Sequence, residues 1–383
     1  MLAACLFYAA FGGMIQWFPI WLIEEKGITG EELGLLISLA GLARIIVGPL
    51  TSAWAEGRAD RRAPIRLLAA ISLLALGGLW FAERYAINFG LALAIEISFW
   101  ALIAFLEAAL LRLTRPGLRP SYGFARGLAS LSFVVGNVMV GMLVDRGGNV
   151  TIWWWLFLVT LGLLASAVMM APERVQRTSE PPFGRRLADG FAMVKRPEFA
   201  LLMFGCGLIQ SGHQFYYIFG TKLWIDELAM SATLAGWLFA LGATVEAAFL
   251  MLLAPRIEHV RPASLMLIGG LGALLRWSLM ATAPSLTMIL LLQTLHAVSF
   301  ACTFLGAMRG IQQMWGDDRT PTAQMMFMAL AAAPAQALAS WIAGRVFDTG
   351  SGSAGYIAMV PVVAVGTLLV FILWRRKPVV VPA

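Results

Sequence analysis

Charge is scarce in this chain. Asp, Glu, Lys and Arg make up 13% of its 383 residues, against about 25% in soluble globular domains. So little charge cannot cover the surface of a water-soluble globule of this size, so a very large buried core is excluded as the origin of the apolar content. Cysteine and histidine are scarce too, at three residues each. Cys5, Cys206 and Cys302 all fall inside apolar runs without metal-ligand spacing, which excludes a disulfide framework and a zinc site and leaves packing as their role. HExxH, a GxSxG elbow and an acidic metal cluster are all missing, so the chain is expected not to be an enzyme and to need no cofactor or metal. "MLAACLFYAAFGGMIQWFPIWL" lacks a charged leader region and runs directly into a span, which reads equally as a start without a cleavable signal or as a trimmed start.

What is present is hydrophobic. Apolar residues reach 60%, with a mean hydropathy of +0.80. They fall into twelve runs, near 2–23, 33–54, 65–82, 88–111, 122–144, 150–170, 198–220, 231–254, 263–281, 285–311, 322–344 and 355–374. Runs of about 20 apolar residues are long enough to cross a bilayer as helices. The longest polar stretch, "PERVQRTSEPPFGRRLADGFAMVKRP", separates six runs from six. The expected architecture is an all-α membrane protein of twelve transmembrane helices in two pseudo-symmetric six-helix bundles. An N-terminal bundle covers 1–171, a cytoplasmic central loop 172–197 and a C-terminal bundle 198–383.

The halves echo each other. "VGMLVDRGG" closes the fifth run and "IAGRVFDTGS" the eleventh, so that Gly141, Asp145 and Gly147 match Gly344, Asp348 and Gly350. Two parallel six-helix repeats with a site between them near the midplane form a transporter architecture. The basic residues supply the orientation. Of 28 Lys and Arg, 20 fall on the side of the central loop and five on the other, with three inside spans. This asymmetry predicts a multi-pass protein of the inner (plasma) membrane with both termini cytoplasmic. It also explains the sequence pI near 9.7 without nucleic acid, which is not expected as a partner.

Ionisable residues inside the spans carry the functional argument. They are Arg44 in the second, Glu96 and Glu107 in the fourth, Arg126 in the fifth, His213 in the seventh, Glu246 in the eighth, Arg276 in the ninth and His296 in the tenth. Three Glu and three Arg facing lipid would cost about 15–20 kcal/mol, as much as the whole stability of a typical domain, about 5–15 kcal/mol. They are expected to face a cavity or one another. Glu96 and Glu107, eleven residues apart, return to nearly the same helix face. Arg126 is placed to pair with Glu107, and these two are the candidates for holding substrate, with Arg44, Glu96 and His213 beside them. Glu246, Arg276 and His296 sit on three successive spans. A shielded carboxylate is pushed up in pKa and a neighbouring Arg pulls it back, so Glu246 suits proton coupling, with His296 orienting it or binding substrate. Gln16, Asn137, Gln210, Gln214 and Gln293 extend the polar lining, and Phe133, Tyr216 and Tyr217 are the aromatic residues next to it.

These residues resemble the major facilitator superfamily, and within it the branch that holds lactose permease and the phenylpropionate permease. "GATVEAAFLMLLAPRI", "GALLRWSLM" and "LQTLHAVSFACTFLGAMRGI" place Glu246, Arg276 and His296 at the branch's coupling glutamate, ninth-span arginine and tenth-span histidine. "SGHQFYYIF" resembles the seventh span of the phenylpropionate branch. "FLEAALLRL" and "SYGFARGLASLSF" put Glu107 and Arg126 at its substrate-clasping pair. The resemblance departs in three places. Ser299 stands where lactose permease has an acid, Phe133 stands where the branch has a stacking Trp, and only Gly48, Asp60 and Arg62 match the gating motif after the second span. The resemblance implies a secondary active transporter moving a sugar or an aromatic carboxylate by alternating access. It would be a symporter driven by the proton gradient, with a small-molecule substrate, protons and the lipid bilayer as partners, working as a monomer. A uniporter or exporter on the same fold is the alternative, with a membrane-embedded enzyme or a ligand sensor behind it.

Overall fold

The computed structural model describes residues 1–56, 60, 62–113, 122–170 and 183–376. The regular elements among them are all helices. Six come first: α1 (Leu2–Lys26), α2 (Gly30–Glu56), α3 (Ala63–Phe81), α4 (Tyr85–Leu113), α5 (Tyr122–Gly147) and α6 (Val150–Met169). A short amphipathic α7 (Phe183–Val194) precedes α8 (Pro197–Ser211) and α9 (Gln214–Asp226). Then come α10 (Ala232–Ala248), α11 (Pro262–Met280), α12 (Leu286–His296), α13 (Thr303–Phe327), α14 (Ala333–Thr349) and α15 (Gly352–Arg375). Part of the central loop, and with it Arg174 and Arg177, lies outside the described residues. So do Arg58, Arg61, Arg115, Arg119 and Lys377 of the charge count.

The twelve expected crossings are all present, but two differ from the reading of the sequence. The seventh is broken, because α8 stops at Ser211 and α9 starts at Gln214, leaving Gly212 and His213 as a turn inside it. A Ser–Gly pair is a common cause of such a break. The tenth and eleventh have no polar loop between them. Leu286–Thr349 is a run of 64 helical residues, about 95 Å at 1.5 Å per residue, which is far more than one bilayer crossing needs. It divides at Gly316, whose φ of 67° and ψ of 175° suit only glycine. Gln, Asp, Arg and Thr around it are polar but compatible with helix, so hydropathy sees a loop where the backbone has one turning residue. Short π-helical turns at Phe249–Leu253, Ala297–Cys302 and Met328–Ala332 interrupt the eighth, tenth and eleventh crossings.

The chain forms two compact units, Met1–Thr178 with Tyr217–Ala240, and Ser179–Tyr216 with Leu241–Ala383. In the first, α1 is the central helix, packed on α5 and α6, while α3 packs on α4 and α6. Gly12 of α1 and Gly136 of α5 make the closest crossing. A Cβ on Gly12 would strike the carbonyl of Phe133, and one on Gly136 the carbonyl of Ala9. In the second unit, α15 packs on α8 and α11, and α11 on α13. Large apolar side chains such as Ile46, Leu74, Leu158, Leu271 and Leu368 stay exposed. So much outward apolar surface on long helices belongs in lipid.

Side chains satisfy several helix ends. Thr29 and Glu32 form a capping box at α2: Thr29 Oγ1 accepts from the Glu32 N–H at 3.2 Å, and a Glu32 carboxylate oxygen accepts from the Thr29 N–H at 2.9 Å. Arg62 and Arg66 donate to the carbonyls of Ala167, Val168 and Met170 at the end of α6. Arg62 also holds Asp60 through Nε and an η nitrogen at 2.8 Å each, which pulls the Asp60 carboxyl down to about 2. The repeated Gly–Asp motif has a local purpose in the first half. Asp145 at the end of α5 accepts the backbone N–H groups of Ala232 at 2.8 Å and Thr233 at 2.9 Å. It therefore caps α10 from a neighbouring helix. Asp145→Ala is expected to destabilise the purified protein by about 1 kcal/mol, the usual worth of a helix cap. Asp145→Asn should lose less, and thermal denaturation in detergent measures both.

Candidate functional site

Glu107 gathers three partners within the first unit. Tyr8 of α1 donates its hydroxyl to one oxygen at 2.5 Å, and Tyr122 of α5 donates to the other at 2.9 Å. Arg126 Nε completes the set at 3.3 Å. The Arg126 guanidinium lies over the Tyr8 ring at 4.7 Å and an η nitrogen donates to Ser130 Oγ at 3.1 Å. Among the described residues it engages Nε and one η nitrogen of a group with five N–H donors. The predicted pairing of Glu107 with Arg126 is therefore present, and Tyr8 and Tyr122 are additions to it.

Glu96 lies three turns away along α4 and belongs to a separate group. It is buried and accepts from the indole N–H of Trp100, one turn on, at 3.2 Å. Arg44 of α2 covers the Trp100 ring at 4.3 Å, a cation–π contact. Between the two groups runs a strip of rings. Tyr8 meets Phe11 edge-on at 6.5 Å, Phe11 meets Trp100 edge-on at 5.1 Å, and Phe133 tilts against Phe11 at 6.2 Å. The first unit thus holds an aromatic floor with an Arg and a Glu at each end.

The second unit gathers Glu246, Arg276 and His296, as the sequence suggests, and adds three more side chains. Arg276 is 1% exposed, with its guanidinium between the rings of Tyr216 at 4.8 Å and Trp277 at 4.5 Å. It reaches Gln293 Oε1 at 2.7 Å and His296 Nδ1 at 2.9 Å. Tyr216 donates to the same Gln293 oxygen at 3.1 Å. On its other side His296 turns Nε2 to a Glu246 carboxylate oxygen at 3.3 Å. A guanidinium only donates, so Nδ1 of His296 accepts, and the ring proton of this neutral histidine sits on Nε2, facing Glu246. The Glu246 side chain is 24% exposed and that of His296 7%, so the carboxylate is the more exposed of the two.

The remaining sequence candidates lie beside these groups or apart from them. His213 is wholly buried in the break of the seventh crossing and faces Ser299 at 3.2 Å. Tyr217 belongs to the first unit, its ring 6.1 Å from Phe239. Gln16 and Asn137 bond each other, and Gln16 also accepts from Thr221. Gln210 donates to the carbonyl of Phe300 at 3.1 Å, and Gln214 accepts from Ser340 at 3.1 Å. Trp100 and Tyr122 went unnoticed in the sequence although each lies four residues from a charged candidate, on the same helix face. Tyr8 had no local signal, being 99 residues from Glu107.

A twelve-crossing helical membrane protein with charged groups paired inside its helices has the build of a carrier. The family comparison agrees: a model of the MFS_1 like family matches residues 2–358, and the chain belongs to that family, as a multi-pass membrane transporter of small solutes. The chain is 24% identical over 347 residues to a probable 3-phenylpropionic acid transporter of Escherichia coli (strain K12), covering 89% of each chain. It is 25% identical over 385 residues to a maltose permease of Geobacillus stearothermophilus, covering 97% of this chain and 93% of that one. Among solved structures, it is similar to the nucleoside transporter NupG, with a TM-score of 0.85 at 13% identity over 98% of each chain. A bacterial homologue of the lysosomal transporter Spinster, in an inward-facing and unoccupied conformation, aligns at 0.69 and 17% identity over 98% of this chain and 95% of that one. At these identities the structural likeness concerns the fold. Removing the Tyr8 hydroxyl tests the first-unit geometry. Tyr8→Phe is expected to cost about 1.5–3 kcal/mol, the worth of a hydrogen bond to a charged group, as a lowered unfolding midpoint.

Proposed function

We propose that this protein is a proton-coupled symporter that carries a small aromatic carboxylate across the inner membrane by alternating access, with both termini in the cytoplasm. The observation that carries the coupling is the chain Arg276–His296–Glu246, with contacts of 2.9 and 3.3 Å. Arg276 holds His296 neutral, because a second ring proton on Nδ1 would point at a guanidinium N–H. The proton from water then goes to Glu246, the more exposed member. An ionised Glu246 accepts the Nε2–H of His296, and a protonated one no longer needs it. Taking up one proton therefore changes the charge of the cluster and loosens its grip on α12, which gives a conformational cycle something to respond to.

The first unit supports the solute class. A flat ring fits the floor formed by Tyr8, Phe11, Phe133 and Trp100, where aromatic contacts favour rings. A carboxylate fits Arg126 or Arg44, since guanidinium groups bind carboxylates in paired fashion. Glu107 and Glu96 hold those arginines in place and offset their charge while the site is empty. Bringing in an anion with a proton leaves the low-dielectric interior no more charged than before. Tyr216 and His213 lie within the coupling cluster and are read as part of it. The relative named for 3-phenylpropionic acid agrees with this class, and the maltose permease supplies the competing one.

Proteoliposomes test both parts. With an imposed inward proton gradient, the unaltered protein is expected to accumulate 3-phenylpropionate and not maltose. Glu246→Gln should abolish accumulation while exchange across the membrane continues. Gradient-driven accumulation by Glu246→Gln would remove the coupling role. Accumulation of maltose alone would remove the carboxylate. Flux in the unaltered protein that ignores the gradient would make it a uniporter.

A further inference from the structure

The function above uses Arg276 and His296 but leaves unexplained what holds Arg276 against a histidine ring. Behind it the structure lays out a further run of contacts. The broken seventh crossing ends α8 at Ser211 and leaves the Gln210 carbonyl pointing at His213 Nδ1, at 3.2 Å. A carbonyl only accepts, so His213 carries its proton on Nδ1 and its Nε2 is bare. Nε2 lies 3.2 Å from Ser299 Oγ. The serine has one hydroxyl proton and two acceptors in reach, His213 Nε2 at 3.2 Å and the His296 carbonyl at 3.4 Å. Donation to the nearer one turns the Ser299 lone pairs toward Arg276, whose η nitrogen is 3.5 Å away. That same nitrogen is the one that donates to His296 Nδ1.

We infer that His213 and Ser299 are positioning residues that set the tautomer of His296 through Arg276. Gln210 orients His213, His213 takes the serine proton, Ser299 accepts from Arg276, and Arg276 blocks Nδ1 of His296, so that the Nε2–H faces Glu246. The groups around His213 fit a positioning role. Trp277 of α11 and Phe300 of the π-helical turn meet its ring edge-on at 4.9 and 5.6 Å, and the His296 ring lies 5.6 Å away. Arg276 is the charged neighbour from α11, Tyr216 packs beside it from α9, and Glu246 from α10 lies beyond His296. The side chain is fully enclosed, so it orders a network and touches no solute. Its bearing on transport rests on reading Glu246 as the coupling carboxylate, while its effect on His296 stands apart from that reading.

The chain has only three histidines, and the third, His259, is exposed, so nitrogen-15 histidine spectra of the protein in nanodiscs resolve the question without a known solute. His213 is expected as the Nδ1–H form and His296 as the Nε2–H form. Ser299→Ala and His213→Asn should each convert His296 to a mixture of tautomers or a protonated ring. Ser299→Thr, which keeps the hydroxyl, should restore the original signal, and the double variant should add nothing to either single one. In exchange assays, the two single variants should move the pH of half-maximal rate by about one unit with little change in KM. An Nδ1–H form of His296 in the unaltered protein would overturn the inference. So would an unchanged His296 signal in Ser299→Ala, which also covers the case that His213→Asn does not fold. If the signals behave as expected but Glu246→Gln still accumulates solute, the network stands and the coupling function of Glu246 falls.

Discussion

A guanidinium can give hydrogen bonds but not receive them, and Arg276 is enclosed where water cannot make up the difference. Each of its partners must therefore offer a lone pair. Gln293 does so with its amide oxygen, Ser299 with its hydroxyl and His296 with Nδ1. The demand is directional, and it passes along the network. It fixes which nitrogen of His296 bears a proton, and so what Glu246 meets. A buried charge in an apolar bundle is costly unless such partners are supplied, which makes the site a set of mutual obligations and not a list of polar residues.

The backbone is irregular where those obligations are met. The seventh crossing breaks at Gly212 and His213, and the tenth passes into a π-helical turn directly after His296. At the break the Gln210 carbonyl meets the His213 side chain as well as its backbone N–H, and the wide turn brings Ser299 and Phe300 beside His213 and His296. Irregular turns of this kind are tolerated at membrane depth only when they are enclosed by protein or line a polar space. The first unit meets the same constraint with regular helices. There Glu107 collects two tyrosine hydroxyls and a guanidinium, and Arg44 spreads its charge over an indole ring.

Much of this is legible in the amino-acid sequence. Hydropathy located twelve crossings, since the bilayer demands about 20 apolar residues of each. The expense of charge in lipid singled out Arg44, Glu96, Glu107, Arg126, Glu246, Arg276 and His296, and the structure brings them into three groups. The misses have physical causes. Hydropathy cannot see that a polar segment such as that around Gly316 stays helical, nor that Ser211 and Gly212 stop a helix whose side chains remain apolar. Trp100 was within reach of an i, i+4 argument from Glu96 on its own helix, whereas Tyr122, four residues from Arg126, bonds Glu107 on the neighbouring α4.

By itself, the sequence determined the solvent, the number of crossings, the charge asymmetry and which residues were too costly to face lipid. All of these follow from composition and spacing, which act along the chain. Only the tertiary structure decided that Tyr8 serves Glu107, that Glu96 and Glu107 work in separate groups, and that Ser299 and His213 stand behind Arg276. These contacts join residues far apart in sequence, and a hydrogen bond depends on a distance of about 3 Å and on which atom holds the proton, neither of which spacing along the chain can specify.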